Sequence, residues 1–184
     1  MIKSKEDLNS YIAADLAVSY VPKNSFKRWL HLLGGNEQCA AFSYVRRLRL
    51  TEYYLNTGKI VRYHWSHLLL GRMGLKYSIR IRPNSCDKGL CIIHLAGGGG
   101  IFVNAESIGQ NSRFQAGVVI GNKGGDDYRP TIGNHVHFGL GCKVYGKITI
   151  GDNVSILPNA VVTHDVPANA IVGGIPAKII KFKE

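Results

Sequence analysis

The sequence predicts a mainly β protein, with a parallel coil of short strands over residues 76–184 and an α-helical subdomain over residues 1–75. Two observations support this division. Five of the 22 glycines lie within residues 1–78 and the rest follow, so the two parts are built differently. Apolar residues recur at helical spacing in the first part and at every sixth position in the second.

Capping residues delimit helices in the first part. Asn24 would cap a helix over residues 26–33, and Asn36 would cap another from residue 37 to about 56. Apolar residues at helical spacing indicate a third helix over about 59–72. The 184-residue chain is therefore long enough for one sizeable domain with a helical appendage.

The repeat in the second part has a period of six residues. Its bulky apolar positions are Ile108, Phe114, Ile120, Ile132, Phe138, Val144, Ile150, Ile156 and Val162. The fourth residue after each start is small or β-branched, as at Val136 and Val154. Six residues suit a short strand and a tight turn. Three such units would make one triangular coil, with the apolar positions pointing inward and neighbouring coils stacked.

Three segments stand out within the second part: residues 89–97, the glycine-rich interruption 121–133, and residues 165–178. Together they resemble the hexapeptide-repeat acyltransferases, in particular the serine acetyltransferases and their relatives that O-acetylate surface polysaccharides. The resemblance covers residues 76–181. It implies a left-handed parallel β-helix with a loop insertion at 121–131 and a C-terminal tail.

The resemblance implies direct transfer of an acetyl group from acetyl-CoA to an acceptor hydroxyl. A neutral hydroxyl needs a base to take its proton, and histidine suits that task near neutral pH. In the family the histidine at the position of His94 has this role. The family's aspartate that orients this base is replaced here by Arg80 or a residue close to it. Asp87 is then the nearest acid, and Asp126 and Asp127 are candidates from the loop, of which Asp127 is the predicted catalytic partner.

The resemblance also bears on the acceptor. Serine acetyltransferases have Arg-His before the proline of the interrupting loop, whereas this chain has Tyr128 and Arg129 before Pro130. Tyr128 and Arg129 are the predicted substrate-binding residues. Both this histidine and the orienting aspartate are absent, and the Gly-Asn-Lys-Gly-Gly-Asp form of the loop resembles the polysaccharide-modifying relatives. A sugar hydroxyl of a surface polysaccharide is therefore the preferred acceptor, with L-serine as the alternative. An alternative of another class is a non-catalytic basic β-helix scaffold.

The same resemblance predicts where CoA binds. In the family, CoA lies in the groove between neighbouring β-helices of a trimer, so we expect a homotrimer or a dimer of trimers. The predicted CoA contacts in this chain are Gly139, Leu140, Lys143, Pro158, Lys178 and Lys181. The lysines are candidates for the CoA phosphates.

Two further residue types invite other chemistry. A zinc site would need three histidines and an open position. His135 and His137 fall where neighbouring strand positions are expected to diverge, so they are not expected to converge with His94, and no metal is predicted. Cys142 holds an inward repeat position, which predicts a buried packing thiol rather than a nucleophile.

Charge restricts the partners. The formal net charge is +11, and residues 1–78 contribute +7 of it, which favours an anionic partner. The chain has no helix-turn-helix spacing, zinc motif or RNP-like strand, so nucleic acid is not expected. Its apolar stretches are far shorter than a membrane span. The polar start and four cysteines without a CxxC pair predict a cytoplasmic protein.

Overall fold

The computed structural model describes residues 1–95, 99–122, 124 and 128–184. Within these ranges the helices are α1 (Lys5–Val18), α2 (Ser25–Leu33), α3 (Glu37–Asn56) and α4 (Ile60–Tyr77). The last three correspond to the predicted helices, although α4 continues beyond its predicted end. The first helix has no counterpart in the prediction. In the described ranges, no helix has the length and apolar character needed to cross a membrane.

Short strands make up the second part of the chain. In the described residues they are β1 (Ile79–Ile81), β2 (Cys91–Ile92), β3 (Ile101–Val103), β4 (Ser107–Ile108), β5 (Arg113–Phe114), β6 (Val119–Gly121), β7 (Thr131–Ile132), β8 (His137–Phe138), β9 (Lys143–Tyr145), β10 (Thr149–Ile150), β11 (Ser155–Ile156), β12 (Val161–Val162), β13 (Ala170–Gly174) and β14 (Ala177–Phe182).

The strands stack into the sides of a triangular coil. One side is β1-β3-β6-β9-β12, the second is β4-β7-β10, and the third is β2-β5-β8-β11-β13-β14. Successive coils pair in parallel, whereas β13 and β14 form an antiparallel hairpin at the end of the third side. This architecture confirms the predicted mainly β coil with N-terminal helices.

The six-residue repeat forms the core. All nine predicted inward positions are buried. The residues four positions later are buried too, except Gly124 in the glycine-rich interruption, which is exposed. The rings of Phe114 and Phe138 stack with centroids 4.6 Å apart along the inside of the third side. The glycine-rich interruption leaves the register intact, because Ile108 before it still pairs with Ile132 after it.

A buried ionic cluster joins the helices to the first coil. The Arg49 side chain of α3 is fully buried and pairs with Asp15 of α1 at 2.8 Å and with Glu52 at 3.0 Å. Its guanidinium also donates to the backbone carbonyls of Cys86 (2.8 Å) and Asp87 (2.7 Å). Burial works against the charged guanidinium, but the two carboxylates more than offset it and raise the pKa of Arg49 above its ordinary value.

Helix α3 contacts the first coil at two further points. The backbone N–H of Ile81 donates to the Tyr44 hydroxyl at 3.1 Å, and that of Asn84 donates to Glu52 Oε1 at 2.8 Å. Helix α3 is therefore held against the β-helix from Tyr44 to Glu52.

Candidate active site

His94 lies at an edge of the coil, directly after the third side. It follows Ile92 of β2 by two residues, and its side chain is 50% exposed. Strand pairing continues from β2 through β5 and β8 to β11. Ala116, Leu140 and Pro158 each follow their strand's paired residue by two positions as well. We call the row formed by His94, Ala116, Leu140 and Pro158 the His94 edge.

The side chain of Glu37 contacts His94. His94 Nδ1 lies 3.2 Å from Glu37 Oε1, and the backbone N–H of Leu95 donates to Glu37 Oε2 at 3.1 Å. Glu37 is the first residue of α3, after the N-cap Asn36. Sequence reasoning missed this residue because 57 positions separate the two partners. The only feature of the local sequence that points to Glu37 is its place as an acid in the first turn of a helix capped by Asn36.

Of the three acids named from the sequence, Asp87 alone lies within the described residues. Asp87 lies between β1 and β2, where its carboxylate is hydrogen-bonded by Tyr11 and Gln110. Burial raises the pKa of Asp87, but hydrogen bonds from Tyr11, the Lys88 N–H and Gln110 outweigh burial and bring the pKa below its ordinary value. Asp126 and Asp127 lie outside the described residues.

Tyr128 and Arg129 lie at a different edge, between the first and second sides. Arg129 Nε donates to Asn104 Oδ1 at 3.0 Å, and its Nη1 is 3.5 Å from Glu106 Oε2. The Tyr128 side chain is exposed. The first side, which includes β3 and β6, separates this edge from the His94 edge. Its three-residue strands span about 10 Å, so one chain does not bring Arg129 next to His94.

The predicted CoA contacts divide into buried and exposed groups. Gly139 is buried, and its N–H already donates to the Ile156 carbonyl at 2.9 Å. The N–H of Leu140 donates to Gln115 Oε1 at 3.0 Å, while the side chains of Leu140 and Pro158 are exposed. The remaining predicted contacts, Lys143 on β9 and Lys178 and Lys181 on β14, are also exposed.

The other two histidines considered for a metal site lie two coils beyond His94, at the start of β8 and just before it. His135 lies in a turn with a φ of 56°, and His137 Nε2 lies 3.3 Å from Gln115 Nε2. Burial, together with nearby Arg113 and Lys183, lowers the pKa of His137. No group of three potential metal ligands converges within the described ranges.

The cysteines are packing residues. Cys39, Cys86, Cys91 and Cys142 are all buried free thiols, as predicted for Cys142. Burial raises the pKa of Cys86 and of Cys142 to about 12, and it also raises the pKa of the other two. Because the thiolate is the reactive form, these thiols are poor nucleophiles at neutral pH.

We therefore expect the folded protein to resist thiol reagents. Titration with Ellman's reagent at pH 8 should label essentially no cysteine in native protein, and all four in guanidinium chloride. The denatured sample is the control for reduced thiols. Rapid labelling of a thiol in the folded protein would contradict the burial and the raised pKa values.

Comparisons with known proteins agree with this architecture. The family described as bacterial transferase hexapeptide (six repeats) matches residues 129–164. The serine acetyltransferase of Synechococcus elongatus is 35% identical over 120 residues, covering 64% of this chain and 46% of that protein. The chain spans about half the length of the first curated relatives it matches.

Solved structures cover nearly the whole chain. Serine acetyltransferase of Neisseria gonorrhoeae in complex with serine aligns with a TM-score of 0.71 and 29% identity, over 97% of this chain and 71% of that chain. Serine acetyltransferase of Brucella abortus in complex with coenzyme A aligns with a TM-score of 0.73, over 98% of this chain and 70% of that chain. At 23% identity, this second likeness shows the fold alone.

The chain therefore has the fold of hexapeptide-repeat proteins, a left-handed parallel β-helix, and it is similar to serine acetyltransferases. The preference for a polysaccharide acceptor receives no support from these relatives, and the serine alternative fits them better.

Proposed function

We propose that the chain is an acetyl-CoA-dependent O-acetyltransferase with L-serine as its acceptor. The observation that carries the proposal is His94: it lies exposed at a coil edge, held by a carboxylate, in register with the predicted CoA contacts Leu140 and Pro158. The serine acetyltransferase relatives support both substrates.

The proposed reaction is a direct transfer. His94 Nε2 takes the proton of the acceptor hydroxyl as its oxygen attacks the thioester carbonyl carbon. The tetrahedral intermediate then collapses, the carbon–sulfur bond breaks, and the imidazolium returns the proton to the CoA thiolate. The proposed transfer forms no acyl-enzyme, and the four cysteines are poorly suited to one because they are buried and burial raises their pKa values.

The His94 edge has the character that an extended CoA arm requires. Leu140 and the neighbouring Leu157 expose apolar side chains there, 38% each, against which a pantetheine arm would pack. The N–H groups of Gly139 and Leu140 are already used, so these two residues would contribute contacts other than hydrogen-bond donation. The CoA phosphates would then lie near Lys143, Lys178 and Lys181, whose side chains are exposed.

A homotrimer would complete the proposed site. His94 and the predicted substrate-binding Arg129 lie at different edges of one chain, so a second copy would have to supply one of them to a shared acceptor. We expect light scattering after size-exclusion chromatography to give three times the 20.2 kDa chain mass, or a multiple of it. A monomer that retains full activity would contradict the shared site.

An acceptor panel tests the proposed function. Isotope-labelled acetyl-CoA is incubated with the protein and L-serine, nucleotide sugars or oligosaccharides, and the products are identified by mass spectrometry. O-acetylserine is the expected product. A labelled sugar with no O-acetylserine would replace serine by the polysaccharide class of acceptor. No labelled product, with no binding of acetyl-CoA by calorimetry, would favour the non-catalytic scaffold.

A further inference from the structure

We infer that Glu37 is the positioning residue for His94, so that the helical subdomain supplies a part of the active site. This inference rests on the proposed function of His94 as the base. The serine acetyltransferase group is expected to place an aspartate near the position of Arg80. In this chain Arg80 is an exposed cation on β1. Within the part of the chain that the structure describes, the carboxylate that contacts His94 comes from α3.

Both oxygens of the Glu37 carboxylate are engaged at the His94 edge. Oε1 contacts His94 Nδ1 at 3.2 Å, and Oε2 accepts the Leu95 N–H at 3.1 Å. This two-point contact fixes the carboxylate against the backbone next to the histidine as well as against its ring. A single side-chain contact at this half-exposed position would leave the ring much freer to rotate.

The first turn of α3 favours the ionised carboxylate. The N-terminus of a helix carries a partial positive charge, which stabilises an acid there. The Leu95 N–H adds a hydrogen bond that an ionised carboxylate accepts well. An ionised Glu37 accepts a hydrogen bond from the Nδ1–H of His94. That bond selects the neutral tautomer in which Nε2 carries the lone pair, as a base requires.

The docking of α3 explains how a helix can position a group on the β-helix. Tyr44 and Glu52 of α3 accept backbone N–H groups of the first coil, and Arg49 donates to two of its carbonyls. His94 lies at the end of that same coil. Glu37 therefore belongs to a helix that is bound to the same coil as His94. The helical subdomain thus contributes to the proposed site as well as covering the end of the β-helix.

Replacing Glu37 with glutamine tests the inference in the intact chain. Glutamine preserves size but removes the charge, and its amide can turn to donate to Nδ1 and favour the wrong tautomer. We expect kcat for acetyl transfer to fall about 10- to 100-fold, by analogy with other partners that orient a functional histidine, while the Kd for acetyl-CoA remains unchanged. Glu6→Gln is the matched control, because Glu6 is an exposed acid in the first turn of α1.

Two further measurements separate positioning from a structural effect. Long-range ¹H–¹⁵N NMR, at a pH where the imidazole is neutral, should show the Nδ1–H tautomer of His94 in the parent protein and a shift toward Nε2–H in Glu37→Gln. In a His94→Ala background, Glu37→Gln should cause no additional loss of rate, since Glu37 acts through His94. An unchanged tautomer with unchanged kcat, or a further loss in the double variant, would overturn the inference.

The tautomer measurement also keeps this inference distinct from the proposed function. If the parent protein transfers no acetyl group but the tautomer changes in Glu37→Gln, the proposed function fails while the positioning of His94 by Glu37 is supported. If acetyl transfer depends on His94 but neither the tautomer nor kcat responds to Glu37→Gln, the inference fails alone.

Discussion

Replacing His94 with alanine should reduce acetyl transfer by about 10²- to 10⁴-fold, the contribution of a general base that takes a proton in the transition state. The His94 side chain is half-exposed and lies outside the core, so its removal creates no buried cavity. The Kd for acetyl-CoA should therefore stay close to that of the parent protein. Steady-state kinetics of CoA release and calorimetry of acetyl-CoA binding measure the two quantities.

His164→Ala is the matched control for this variant. His164 is also exposed, lies at a different edge of the coil after β12, and contacts Thr163 through Nδ1 at 3.0 Å. Its removal should leave kcat unchanged. Full activity in His94→Ala would show that His94 is not the base, and equal losses in both variants would point to a general effect on folding.

Replacing Arg49 with methionine should lower the free energy of unfolding by about 3–5 kcal/mol, the typical cost of removing one partner from a buried ion pair. Without the guanidinium, Asp15 and Glu52 remain buried and face each other without a cation, and two carbonyls of the first coil lose a donor. Urea unfolding followed by circular dichroism measures this change.

Arg46→Met is the control on the same helix. Arg46 is exposed, so the same substitution there should change the free energy of unfolding by less than about 0.5 kcal/mol. Similar values for the two variants would contradict the anchoring role of the buried cluster. The Arg49→Met variant should also lose acetyl transfer at lower temperatures than those that unfold the β-helix. The reason is that α3, which positions Glu37, is less firmly anchored in this variant.

The β-helix core could be predicted from the sequence because its pattern is local and repeated. Each bulky residue of the six-residue period, such as Phe114 or Phe138, faces the same environment in every coil. The six-residue spacing of bulky apolar residues therefore predicts directly which side chains are buried in the core. The strand register survives the glycine-rich interruption, since the coil resumes at Ile132 with the residue that its period requires.

Helix α1 could not be predicted in the same way because its buried side includes a charged residue. Asp15 is buried as part of the cluster with Arg49, and its Oδ1 accepts the N–H groups of Gly89 and Leu90 at 2.8 Å. A helix prediction based on the spacing of apolar residues treats Asp15 as an exposed position, so the buried side of α1 is missed. Its partners lie 34 and more positions away along the chain.

The candidate site was only partly predictable for a related reason. His94 belongs to a segment that resembles a known pattern, so its proposed role could be carried over by position. Its contact with Glu37 depends on how α3 docks on the coil, which no local spacing encodes. Asp87 is nearer in sequence, but the turn that contains it directs it to Tyr11 and Gln110.

The most direct test of the proposed acetyltransferase is His94-dependent CoA release with L-serine. The intact chain is mixed with acetyl-CoA, with and without L-serine, and free CoA is followed with a thiol reagent. The protein's own thiols should not interfere, since they are buried. The parent protein should release CoA only when the acceptor is present, and His94→Ala should abolish most of that release. CoA release that is equal in His94→Ala, or that does not depend on any acceptor, would contradict the account.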